Sequence, residues 1–223
     1  MEGFFHERLP PTTSTILWNG AHNAHRIGKY WKHIPECEER AVCSSCGDVI
    51  EDLEHILLKC KCPGQEIIWH AAEALWREKG RDWPTLSLGA ILGCGLAEFH
   101  NERGKIEQGT QRLYRILISE SAFVIWKLRN DRRISRNGMP ASEEEINNKW
   151  KYAINQRQQV DITLANRPPR GKHPALAPQL VLSTWSGILD NERNLPANWL
   201  REPRVLVGSR ASIHPRQRSR GIG

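Results

Sequence analysis

Two aspartates never stand side by side in this chain, and no proline is followed by aspartate. The first absence removes the paired carboxylates with which a polymerase holds two magnesium ions. The second removes the acidic start of a restriction-like endonuclease site, leaving a nuclease only as a remote alternative. The acids that are present sit mostly in caps and exposed runs such as Glu143, Glu144 and Glu145, not in the spread inward set that a ribonuclease H needs. The chain is therefore expected to carry no catalytic residues of these kinds. It also lacks any run of eighteen apolar residues, and its amino-terminal stretch has neither the charge pattern nor the apolar centre of a secretory signal. An intracellular protein is expected, in the nucleus or the cytoplasm.

Cysteine is sparse but concentrated. Of six cysteines, four lie between positions 43 and 62, a pattern that fits metal binding in a reducing compartment better than a disulfide framework. Cys43, Cys46, His55 and Cys60 spell C-x2-C-x8-H-x4-C. Two thiolates on a tight turn, with a histidine and a cysteine on the returning arm, can close a tetrahedron around one zinc ion and leave no position for substrate. That predicts a structural metal. Gly47 suits the turn after the second cysteine, because glycine accepts a left-handed backbone. Residues 51–59 read as a short helix with acid first and lysine last. His55 and Cys60 are then roughly 140° apart on an ideal helix, so they share a metal only if the helix ends or tightens near Lys59. Cys62 competes with Cys60 for the fourth position, and the plain alternative is that all four are ordinary core residues. Cys37 and Cys94 lack partner spacing and read as packing residues. His22, His25 and His33 with Cys37 are too irregular for a second site.

The 223 residues, 39% hydrophobic and 26% charged, suffice for one ordinary core or two small ones. The pattern predicts a mainly α protein: a small zinc module followed by a helical hairpin or bundle and an irregular tail. The expected segments are a disordered 1–15, the zinc module at 16–80, a helical region at 81–165 and a tail at 166–223, disordered after 208. Apolar spacing predicts helices at 65–79 and 108–133. A third opens at Ser142 as N-cap with Glu145 three positions on, and it turns Ile146, Trp150, Ala153 and Ile154 inward. The last two helices should form an antiparallel hairpin. A further short helix at 179–189 would dock Trp185 on it. Residues 86–96 are too glycine-rich to assign between short helix and loop. Among nine tryptophans, Trp69, Trp76, Trp126 and Trp150 stand at helical spacing beside leucine and isoleucine and read as core.

Net charge is +7 with a pI near 9.3, which permits a polyanionic partner. The positive charge concentrates at Lys127, Arg129, Arg132, Arg133 and Arg136, and again at Arg216, Arg218 and Arg220. These are the candidate nucleic-acid contacts, set against the plainer reading of a solvated helix face and a loose end.

Residues 31–35 (WKHIP), 40–47 (RAVCSSCG) and 54–57 (EHIL), with Cys60 and then Trp69, together resemble the reverse-transcriptase zinc-binding domain found at the carboxyl-terminal end of non-LTR retrotransposon polyproteins. Residues 88–96, 113–122 and 125–130 look like the extended form common in fungal retroelement relics. The resemblance covers about residues 16–165. It places the family's metal positions on Cys43, Cys46, His55 and Cys60 without substitution, and implies zinc binding with a role in holding template RNA or target DNA; the partner expected for this chain is RNA or single-stranded DNA. No individual contact residue carries over. The competing expectation is a zinc-stapled protein interaction scaffold, or a degenerate relic that binds no nucleic acid.

Overall fold

The computed structural model describes residues 11–47, 49–62, 64–168 and 176–208. The protein is mainly helical, and no sheet forms among the described residues. Six α-helices follow in order: α1 Pro11–Ala21, α2 Gly64–Glu78, α3 Leu88–Leu92, α4 Gln108–Ile134, α5 Glu143–Asn166 and α6 Pro178–Trp185. No described helix is long and apolar enough to cross a membrane.

The organising element is α4. Its 27 residues span about 40 Å, and every other α-helix packs against it. Leu113, Ile116, Leu117, Ile118 and Ala122 along it are buried at 0–1% exposure, so it is a core helix rather than a surface one. The α5 helix starts where the sequence predicts: the Ser142 hydroxyl accepts the Glu145 amide at 3.2 Å, satisfying one of the orphan donors of the first turn. The Glu145 carboxylate turns instead to Arg136 and Lys149, so the reciprocal half of the box is replaced by ion pairs. Ile146, Trp150 and Ile154 are buried, and the Trp150 indole donates to the Ser121 hydroxyl at 2.9 Å across the hairpin.

The ends differ from expectation. The amino-terminal helix begins at Pro11, inside the stretch 1–15 expected to be disordered. Proline is well placed at a helix start, where its missing amide has no partner to lose, and Thr13, Ile16 and Leu17 are buried. Residues 1–10, and the expected disorder beyond 208, lie outside the described residues. Between 176 and 208 the tail is irregular but belongs to the core: Leu176, Trp185, Trp199, Leu200 and Val205 join one hydrophobic cluster that reaches back to Leu17. The segments 16–80, 81–165 and the tail thus share a single core.

Polar anchoring of α6 explains that packing. Asp161 on α5, fully buried, takes both guanidinium nitrogens of Arg112 on α4 at 2.5 and 2.7 Å. The indole of Trp185 donates to the same carboxylate at 2.9 Å, so one acid joins three helices with its charge matched. At the far end of α6, Lys79 donates to the Ser183, Thr184 and Ser186 carbonyls at 2.8, 3.3 and 2.5 Å, the position where a cation suits a helix terminus.

Two predictions arise from this packing. A Cβ built on Gly109 would meet the Ser183 carbonyl carbon at 2.5 Å, because α6 crosses the start of α4 backbone to backbone. Gly109→Ala should therefore destabilise by about 1–3 kcal/mol despite the roughly 1 kcal/mol that alanine gains over glycine in a helix; a thermal melt that rises instead would refute the close approach. Glu120, 6% exposed, has one carboxylate oxygen without a hydrogen-bond partner, and burial pushes its pKa up to about 7 against the pull of Arg157. The folded protein then holds a proton that the unfolded chain releases, so stability falls as pH rises from about 4.5 to 7. Glu120→Gln should raise stability relative to the parent by about 2 kcal/mol more at pH 8 than at pH 5, measured by denaturant titration at both.

Candidate metal centre

The first two donors come from a tight turn. The Cys43 amide donates to the Val49 carbonyl at 2.9 Å, the Glu51 amide to Ala41 at 2.9 Å, and Val42 bridges Ile50 in antiparallel fashion. Gly47 inside this loop has φ of +71° and open space around it, so its backbone conformation, not its size, selects glycine. Asp52 then accepts the His55 amide at 2.6 Å and fixes the returning arm. Outside the loop, Gly28 lies so close to the Glu51 carbonyl that a Cβ would sit 1.9 Å from its oxygen; this clasp ties the preceding segment to the knuckle.

The link between the last two donors refines the sequence reading. The helix ends at Lys59, with Cys60 extended, but it widens there rather than tightening: residues His55–Lys59 form a π-helical turn, and the Cys60 amide bonds the His55 carbonyl at 2.7 Å. An i→i+5 bond widens the turn and carries Cys60 round under His55, closing the angular gap of an ideal helix. Trp69 on α2 holds the turn from outside through a 2.7 Å bond to the Leu57 carbonyl.

The resulting geometry fits a metal. One donor atom each from Cys43, Cys46, His55 and Cys60 lies within 4.8 Å of every other. The Cys60 sulfur is 3.7 Å from that of Cys43 and 3.9 Å from that of Cys46. Those separations are far beyond a disulfide, and they match the edge of about 3.8 Å of a tetrahedron with zinc–sulfur bonds of about 2.3 Å. The His55 Nε2 is buried with no hydrogen-bond partner, as a ligand nitrogen must be before a metal takes its lone pair. The Lys61 amide donates to the Cys46 sulfur at 3.3 Å, a bond that favours thiolate. Burial pushes the Cys43 thiol up, but hydrogen bonds from the Ser45 amide, His55 and the Cys46 amide outweigh it and bring it down to about 7. Burial, aided by the neighbouring Cys43, pushes Cys60 up to about 12. A bound dication reverses that second tendency, since coordinated thiols are deprotonated.

Among the described residues this is the one set of donors so gathered. Cys62 stands outside it, which settles its competition with Cys60 in geometry. Cys94 is buried and pushed up to about 12 by that burial, as a packing thiol should be. His25 is occupied otherwise: its Nε2 meets the Ile16 carbonyl at 3.0 Å and its ring lies 4.3 Å from Trp126.

The basic run on α4 turns largely inward. Arg129 pairs with fully buried Glu51, and Arg133 donates to the Val42 and Arg40 carbonyls at 2.7 and 3.2 Å. Arg132, 3% exposed, lies beside Cys60 and Cys62. Arg136 bonds Asp131 at 2.7 Å and also Glu145. Of these four arginines, expected as nucleic-acid contacts, Arg129 and Arg133 join the knuckle to α4, Arg132 is enclosed, and Arg136, half-buried after the end of α4, is ion-paired at the α4–α5 turn. Lys127 remains exposed, its ammonium 5.5 Å from the Phe123 ring. Arg216, Arg218 and Arg220 lie outside the described residues.

No family model, curated protein or solved structure matches this chain. The site stands on its own geometry. The fold assembles one further cluster: Tyr30 and Trp31, edge to face at 5.1 Å, with Arg26 over the first ring at 5.7 Å and Arg40 over the second at 5.3 Å. The signal for it was the alternation of Lys29, Tyr30, Trp31, Lys32 and His33. A groove of about 1250 Å³ also opens between α4 and α5, lined by Phe123, Val124, Tyr152, Val160 and Leu164.

Purified chain should carry one zinc. Cys60→Ser should lose it at chelator concentrations that leave Cys62→Ser loaded; metal analysis after graded chelation checks this, and retention by Cys60→Ser would overturn the donor set.

Proposed function

We propose that the chain is a zinc-stapled helical module whose role is to hold a surface for RNA or single-stranded DNA, the role implied for the reverse-transcriptase zinc-binding domain it resembles. The carrying observation is the closed donor set. Three sulfurs and one imidazole nitrogen converge within 4.8 Å, a soft set that favours zinc and leaves no position for water or substrate. Such a metal acts by fixing shape, and the four positions are those on which the family resemblance places its ligands.

The shape it fixes puts cations beside exposed aromatics. Tyr30 is 45% exposed, and Arg26, Lys29, Lys32 and Arg40 around it and Trp31 are all solvent-facing. The Trp31 indole donates to the Arg26 carbonyl at 2.8 Å, which holds the ring in place. Interleaving of this kind suits stacking of unpaired bases flanked by phosphate contacts. Glu36, Glu38 and Glu39 border the patch and limit how far a phosphate chain can track beyond it. A protein interaction scaffold is the second reading, supported by the groove between α4 and α5 and by Tyr152 at 67% exposure on its wall.

Fluorescence anisotropy with a labelled single-stranded oligonucleotide should show affinity falling linearly with salt on logarithmic axes. Replacing Tyr30 and Trp31 together by alanine should weaken binding by about 2 kcal/mol or more. Absence of binding at low salt would end the nucleic-acid reading and leave the scaffold.

A further inference from the structure

Arg132 stands apart from its neighbours on α4. Arg129 is matched by Glu51, Arg136 by Asp131 and Glu145, and Arg133 by two backbone carbonyls. Among the described residues no carboxylate is in ion-pair range of Arg132, yet its side chain is 3% exposed and its Nε has no hydrogen-bond partner. It shares a cavity of about 40 Å³ with Glu51, Cys60, Cys62 and Arg129. A buried cation with no anion is strongly unfavourable, so this position calls for a negative charge.

The metal centre would supply it. Three thiolates, a neutral imidazole and a zinc dication sum to one net negative charge, held where water is largely excluded. Glu51 lines the same cavity and is ion-paired with Arg129 through Oε2, its Oε1 having no hydrogen-bond partner, so the centre is the negative group here that has no ion-pair partner of its own. We infer that Arg132 is the counter-ion of the metal centre: a positioning residue that neutralises the zinc–thiolate cluster. This rests on the zinc reading above. It also gives α4 a direct stake in metal occupancy, because the Arg132 carbonyl accepts the Gly138 amide at 2.9 Å and so anchors the turn into α5.

The test is zinc affinity of the full chain, by competition with a chromophoric chelator, for the parent, Arg132→Gln, Arg132→Lys and the exposed control Lys127→Gln. Partners of metal ligands typically change affinity by about 10- to 100-fold. Arg132→Gln should therefore lose roughly tenfold or more, Arg132→Lys should recover to within about threefold, and Lys127→Gln should match the parent. Equal losses in both Arg132 variants, or a loss in neither, overturn the counter-ion. Should Arg132→Gln fail to fold, the cobalt-loaded Arg132→Lys decides: a thiolate-to-metal charge-transfer band like the parent's with near-parent affinity supports the assignment, and a tenfold loss overturns it. A parent chain that takes up no zinc sinks the zinc reading itself, whereas a zinc-loaded parent with an indifferent Arg132→Gln sinks this inference alone.

Discussion

Buried guanidinium groups on one long helix set the terms on which the rest of the protein packs. Near the start of α4, Arg112 is 4% exposed; near its end Arg132 is 3% exposed and the Arg129 side chain 13%. A helix that buries cations must be met by anions or carbonyl oxygens brought from elsewhere in the chain. At the first position Asp161 arrives on α5 and brings Trp185 of α6 with it. At the second, Glu51 and the carbonyls of Arg40 and Val42 arrive on the knuckle. Both docking events share the same cause.

The knuckle shows why this matters for the metal donors. A loop from 43 to 60 holds only short turns, and such a loop cannot settle its own donors to the tolerance of a tetrahedron. Its outer edge is fastened by Gly28 against Glu51, its return by Asp52 on the His55 amide, and its far end by Trp69 on Leu57. Arg129 and Arg133 then join that assembly to α4. The donors are thus positioned by the surrounding protein as well as by coordination, in line with the general dependence of metal sites on groups beyond the ligands.

Much of this was legible in the residues, and the failures share a pattern. The ligand spacing, the Ser142 cap, the hairpin and the core tryptophans follow from local rules about turns, caps and periodicity, and Trp69, Trp76 and Trp150 are buried as periodicity requires. The π turn at 55–59 was not legible, because it relieves a conflict between helical phase and the donors that sequence spacing states but does not resolve. Nor was the burial of the tail, since Trp199, Leu200 and Val205 sit in short turns without periodicity. The inward arginines are the instructive case. Arg129, Arg132 and Arg133 continue the stripe of buried Ile118, Ala122 and Ile125 at intervals of three and four, so they share the face that α4 turns to the core. Lys127 lies off that stripe and is exposed. Phase, rather than charge density, carried the information.

That distinction bears on how a net charge of +7 is to be interpreted. A basic run on a helix is usually weighed as a surface, yet here Arg129 and Arg136 are ion-paired, Arg133 is held by backbone carbonyls and Arg132 is buried, so little of the run is left unengaged. The field available to a polyanion comes instead from scattered exposed residues, of which Arg26, Lys29, Lys32 and Arg40 lie together around Tyr30 and Trp31. Those residues sit on the side of the knuckle clasped by Gly28. Their mutual placement therefore depends on the loop keeping its shape, and through it on the metal donors and on the arginines that hold them to α4. Total charge says that a polyanion is tolerated; the internal ion pairs decide where on the molecule it can be met.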